Sequence, residues 1–211
     1  MARYTGPACR LCRRYGEKLF LKGERCFTPR CAVERRKNPP GEQRMQSRRR
    51  RLSEHGEQLR EKQKAREVYG VLERQFRTYV ARASTFEGVT GDRLLQTLER
   101  RLDNVVYRLG FADSRQQARQ WVSHGHVRVN GRRVDVPSLL VKPGDEITWR
   151  ERSAGSDFFK AITASLGKRP VPGWLSLDET AAKGTVHALP GPGEIDADID
   201  TRMIVEFYSK R

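Results

Sequence analysis

The stretch Leu94-Leu95-Gln96-Thr97-Leu98-Glu99-Arg100-Arg101-Leu102-Asp103-Asn104-Val105-Val106-Tyr107-Arg108-Leu109-Gly110 decides the fold. Its residues Leu94, Leu95, Leu98, Leu102, Val105, Val106 and Leu109 recur three and four apart, which lays one apolar face along a helix. Gly110 suits the left-handed position that ends a helix. Ser114-Arg115-Gln116-Gln117 has the form of a capping box and opens a short helix that ends at Gly125. Beyond it, Val127, Val129, Val134 and Val136 alternate around Asn130-Gly131, a pair favoured in two-residue hairpin turns. Lys142-Pro143-Gly144-Asp145 makes another turn, and Glu146 to Trp149 a further strand. Residues 92–165 therefore read as an α/β module, two helices followed by a small antiparallel sheet. The chain as a whole reads as α+β.

Upstream lies a helical domain, assigned to residues 46–91 plus part of 170–211. Ser53 is placed to cap its first helix, and Gly70 to break the helical stretch in two. Val71, Leu72, Phe76, Tyr79 and Val80 give the second helix an apolar stripe, read as core packing. Asp92 is placed to cap the helix that follows. Residues 155–173 and 184–200 carry little pattern. The tail Met203-Ile204-Val205-Glu206-Phe207-Tyr208 is apolar, rich in strand formers, and expected to dock against the helical part.

Residues 1–45 read as a knuckle and basic arm without an apolar core of their own. All four cysteines lie there, Cys9 and Cys12 as C-x2-C, Cys26 and Cys31 as C-x4-C. Two short-spaced pairs supply the four ligands of a structural, tetrahedral Zn2+. Two disulfides or four free thiols are the alternatives. The neighbouring Arg10, Arg13, Arg14, Lys22, Arg25 and Arg30 are expected to favour the thiolate form.

The chain of 211 residues carries 42 Lys and Arg against 26 Asp and Glu, a net charge of +16. Such a field attracts polyanions. It is unevenly placed: net +12 in residues 1–51, +5 in 100–150 and −1 in 151–211. The polyanion, nucleic acid first and an anionic membrane second, is thus expected to meet the N-terminal quarter and the central module. No apolar run reaches transmembrane length, and the start lacks an apolar signal core, so a cytoplasmic protein is expected. The candidate RNA contacts are Arg10, Arg13, Arg14 and Lys22 on the knuckle and the run Arg48, Arg49, Arg50 and Arg51. In the module they are Arg115 and Arg119 on one helix face, His124 and His126 in the turn, Arg128 on the strand, and Arg132-Arg133 after the hairpin. These module residues are expected to form one continuous basic surface suited to the shape and phosphates of folded RNA. Solvated arginines and turn-filling histidines are the plainer reading of each alone. No nucleophile elbow, phosphate-binding glycine loop or metalloprotease motif occurs, so no catalytic site is assigned.

The sequence resembles protein four of the bacterial small ribosomal subunit. Arg101 to Phe111, with Ser114-Arg115, Ala118-Arg119, Gly125-His126-Val127 and Val129-Asn130-Gly131, looks like the RNA-binding module named after that protein. Leu59 to Lys64, Tyr69-Gly70-Val71 and Glu73 to Arg77 are similar to its helical domain. Trp174 to Asp178 and Val205 to Ser209 resemble its C-terminal markers, and Arg3-Tyr4 with Cys9 and Cys12 its zinc-bearing branch. The resemblance implies a primary binder of the five-prime domain of small-subunit rRNA that nucleates assembly. It also implies contact with ribosomal protein five, where decoding accuracy is affected, and with mRNA at its channel into the subunit, beside protein three. Arg44 and Arg48 to Arg51 occupy the channel region. After Pro39-Pro40-Gly41 this chain has Glu42-Gln43-Arg44 where many members carry Gln-His-Gly. Pseudouridine synthases and tyrosyl-tRNA synthetases also use the central module, but the 61 residues after Arg150 lack a nucleotide fold. A zinc-containing DNA-binding regulator is the other rival.

Overall fold

A computed structural model describes residues 4–36, 38–41, 52–164, 166–167, 169–195 and 198–209, with Phe158 and Ala161 as backbone only. The arginine run 48–51 and Arg44 lie outside the described residues. The chain divides into two units, residues 1–93 with 197–211, and residues 94–196.

In the first unit, α1 (Ala8–Tyr15), a 3-10 turn (Gly23–Phe27) and α2 (Ala32–Arg35) make the knuckle. It has a small core after all: Ala8, Leu11, Cys12, Tyr15, Leu19 and Leu21 are buried together, with Val33 and Val68 packed against them. The missing apolar partner is Val68, contributed by α3 (Glu54–Val68). Polar contacts reinforce this packing: Arg60 Nη2 donates to the Tyr15 carbonyl at 2.6 Å, and Lys64 pairs with Glu17 at 3.0 Å. Ser53 caps α3 by accepting from the Gly56 amide at 3.2 Å. Gly70, at φ +63, turns the chain into α4 (Glu73–Ala83), whose Phe76, Tyr79, Val80 and Ala83 are buried.

The tail is a helix, α10 (Thr201–Ser209), despite its strand-forming residues. Asp200 Oδ1 accepts from the Arg202 amide at 2.9 Å and starts it, and Ile204 and Phe207, three apart, make its buried face. It packs on α3, with the Lys62 ammonium 5.0 Å from the centre of the Phe207 ring. Lys62, itself buried, pairs with Glu73 at 2.8 Å, and the Tyr208 hydroxyl donates to Glu73 at 3.0 Å.

The apolar face over 94–109 is buried, but the helix that carries it is broken. α5 (Thr90–Glu99) ends before Arg101, which is extended, and α6 (Leu102–Arg108) follows. The cause is long-range pairing: the Leu102 amide donates to Leu139 O at 2.8 Å and the Val141 amide to Arg100 O at 2.9 Å. Asp92 lies in the first turn of α5 rather than capping it. Ser114 caps α7 (Arg115–Ser123) through the Gln117 amide at 3.3 Å, while Gln117 reaches back to the Asp113 amide at 2.8 Å. Strands β1 (Val127–Val129) and β2 (Arg132–Val134) form the expected hairpin, with Asn130 and Gly131 at φ +51 and +74.

The sheet then outgrows the module read from sequence. β3 (Glu146–Trp149), β4 (Leu175–Asp178) and β5 (Lys183–Val186) complete five antiparallel strands in the order β2-β1-β3-β5-β4. Residues 175–186 thus belong with the sheet, because β5 pairs directly with β3. Gly184 is required there: a Cβ would overlap the Leu109 side chain, which packs on the sheet at that point. A short helix, α8 (Glu151–Ala154), follows β3, and a second, α9 (Asp157–Thr163), fills 155–173 in part. Phe159 joins Trp121 and Trp149, ring centres 5.5 and 4.7 Å away, under the sheet.

Candidate nucleic-acid interface

The alternation that buries Val127, Val129, Ile147 and Trp149 turns their neighbours to the other face of the sheet. On that face the register aligns Arg133, Arg128, Thr148, Lys183 and Asp178 in one cross-strand row. Arg128 and Arg133 stand directly opposite each other. Such like-charge pairs repel, and the cost is lowered by Glu151, which accepts from Arg128 at 2.5 Å. That carboxylate is 84% exposed, so it is a solvated partner that a phosphate can displace. Arg132 points to the opposite face, at the uncovered edge of β2, and is exposed.

Arg133 folds back over the turn. Gly125, at φ +72, has the Arg133 guanidinium where a Cβ would stand. Arg133 and Arg150 both act on His126, whose pKa is lowered first by burial and then by His124 and these two arginines. His126 is therefore held neutral. It hydrogen-bonds Ser153 Oγ at 2.9 Å and lies 5.2 Å from the Phe159 ring, which is the turn-filling role. His124 is exposed. Arg150 was not picked out in the sequence. Its only signal was its position one residue after the strand end, and the distant His126 gives it meaning.

Arg115 and Arg119 share a face of α7 as expected, but that face lies on α6. Arg115 Nε donates to Asn104 Oδ1 at 2.7 Å, and its guanidinium sits 4.6 Å over the Tyr107 ring. Asn104 Nδ2 donates in turn to Glu99 at 2.7 Å, and Glu99 accepts a double hydrogen bond from Arg108 at 2.9 and 3.0 Å. Arg119 approaches Asp103 at 3.6 Å, and Asp103 holds the fully buried Arg101 through bonds of 3.0 and 2.6 Å. The structure thus divides the expected continuous surface. Arg128, Arg132, Arg133 and His124 face outward at the hairpin, and Arg115 and Arg119 tie two helices together.

On the knuckle, Arg10 and Lys22 are exposed, as are Arg25 and Arg30. Arg13 is committed to the chain itself, donating to the carbonyls of Asn38 and Pro39 at 3.0 and 3.3 Å. Arg14 stands 4.0 Å from Glu67. All four cysteines line one cavity of about 10 Å³, with Leu21, Ala32 and Val33 among its walls. Burial pushes the Cys12 and Cys26 thiols up, and the neighbouring cysteines push them further. Arg10, Arg14, Arg25 and Arg30 around them reach into solvent. Among the described residues, no three His, Cys, Asp or Glu side chains stand at metal-ligand spacing.

Two family models match this arrangement. One, for the ribosomal protein S4/S9 N-terminal domain, covers residues 3–99, and one for the S4 domain covers 100–147. The small ribosomal subunit protein uS4A of Symbiobacterium thermophilum is 56% identical over 210 residues, with 100% of both chains covered. The uS4 proteins of Desulfitobacterium hafniense and Geobacter sp. are 56% and 54% identical over the same full lengths. The chain belongs to the uS4 family. This family is one of structural ribosomal proteins, not enzymes, which agrees with the lack of a catalytic site in the sequence. The join between the two uS4 family models, at 99/100, falls at the end of α5 where the chain bends. Strands β4 and β5 lie beyond the S4 domain as matched, yet continue its sheet.

Proposed function

We propose that this chain is a structural constituent of the small ribosomal subunit, held there by binding its rRNA. Family membership supports the location, and the exposed cationic hairpin carries the RNA reading. Arg128 and Arg133 stand side by side on an open sheet face, with Arg132 at the strand edge and the solvated Glu151 as a carboxylate partner of Arg128. Two arginines at directly paired positions, one over the Gly125 turn and one on a solvated carboxylate, supply planar donor forks suited to phosphate. The finer role follows the family resemblance: a primary binder of the five-prime domain that nucleates assembly. Contacts with ribosomal proteins five and three and with mRNA at its channel into the subunit rest on that resemblance too. Replacing Arg128 and Arg133 together by Gln is expected to weaken rRNA binding and to lower the salt slope by about one to two. Filter binding over a salt series measures it. An unchanged slope moves the phosphate contacts away from the hairpin.

We infer further that Cys9, Cys12, Cys26 and Cys31 hold one structural zinc ion. Four cysteines on one cavity fit a closed tetrahedral shell in number and chemistry. The thiols have to come to ligand spacing and lose their protons to bind, so uptake releases protons and weakens as pH falls. With three of the four buried, the metal would lock α1 to the turn before α2. Elemental assay of the native protein is expected to give one zinc per chain. Absence of metal together with full thiol reactivity at all four positions would remove the site.

A further inference from the structure

The knuckle carries an aromatic pair that its core does not use. Phe20 and Phe27 stack with ring centres 5.1 Å apart and planes at 26°, yet they are 39% and 68% exposed. Phe20 sits at φ +50, a conformation that a bulky residue rarely adopts. Strain of this kind persists where surrounding structure enforces it, and it gathers at functional sites. Here the enforcement is visible. Leu19 and Leu21 on either side of Phe20 are buried, and so is Cys26 beside Phe27. The Lys22 amide donates to Cys26 Sγ at 3.4 Å, and Thr28 Oγ1 closes the turn onto Arg25 O at 3.1 Å. Two anchored ends thus hold two rings in a stack and leave one of them largely open to water.

The surroundings are cationic. Lys22 and Arg25 lie between the rings in sequence, Arg30 follows, and all three are exposed, with Glu24 the single acid of residues 20–30. An aromatic face rimmed by Lys and Arg is the arrangement that stacks an unpaired base while its phosphates meet the cations. Two rings expose too little apolar area for a stable protein interface of ordinary size. We propose that Phe20 and Phe27 form a platform on which an unpaired rRNA base stacks, Phe27 outermost and Lys22 and Arg25 on the flanking phosphates. This rests on the proposed rRNA binding and says where on the knuckle it occurs.

The test uses the full chain and transcribed small-subunit rRNA over a salt series. Phe27→Ala is expected to lower affinity about tenfold with the salt slope unchanged, since a stacked ring releases no counterions. Phe27→Trp should keep or raise affinity, whereas Phe27→Leu, apolar but without a π-face, should not. Restoration by Leu would overturn the proposal in favour of apolar docking. Full affinity of the Ala variant, with the wild-type chain binding normally, would overturn it while leaving the rRNA reading intact. Failure of the wild-type chain to bind would sink the rRNA reading itself, and the platform with it.

Discussion

Replacing Asp103 by Ala is expected to cost the 94–196 unit about 3–5 kcal/mol. The magnitude follows from burial. Arg101 is 0% exposed and Asp103 3%, and the carboxylate meets the guanidinium in two bonds of 3.0 and 2.6 Å. The same carboxylate takes the Asn104 amide at 3.0 Å and faces Arg119 at 3.6 Å. Removing it takes a carboxylate from beside two guanidiniums inside a packed interior, which costs far more than losing a surface pair. A domain with about 5–15 kcal/mol of stability to lose would be left marginal. Asp103→Asn, which keeps the shape and one acceptor, should fall between the two. Trp121, Trp149 and Trp174 all lie in this unit, so tryptophan fluorescence during urea unfolding reports on it alone. A loss under about 1 kcal/mol would show that the network is not holding the helices.

That network also marks where sequence reading stops. The apolar period over Leu94 to Leu109 located the buried face correctly, because burial needs only spacing. It could not locate the break at Arg101, because the backbone there pairs with residues 139–141, and no local pattern announces a partner nearly forty residues on. The hairpin was legible because Asn130-Gly131 satisfies two positive φ angles at once. Strands β4 and β5 were not, being four residues each, with β5 paired to β3 across a long connection and β4 joined only through β5. The 3.6-residue period put Arg115 and Arg119 on one face but not on which side of the helix their acceptors would stand. Asp103 and Asn104, eleven to sixteen residues earlier in the chain, turned that face inward. Cysteine spacing gathered four thiols at one cavity, and for Cys12 and Cys26 burial, which the spacing does not announce, is the largest influence on the thiol.

The central claim is that this is an RNA-binding subunit protein, and its largest expected effect is electrostatic. With +16 net charge and cations gathered on residues 1–51 and the hairpin, binding should release many counterions. About six to ten phosphate contacts predict a fall in affinity of roughly 10³- to 10⁵-fold between about 50 and 200 mM salt. Charge alone would give that fall on any polyanion, so the deciding measurement adds a competitor. The full chain is titrated into labelled small-subunit rRNA at fixed, near-physiological salt, against unlabelled duplex DNA of equal phosphate content. The account predicts that the rRNA is held about 10³-fold more tightly or better, as in specific nucleic-acid complexes. Equal competition by the duplex would contradict it and leave only a nonspecific polycation.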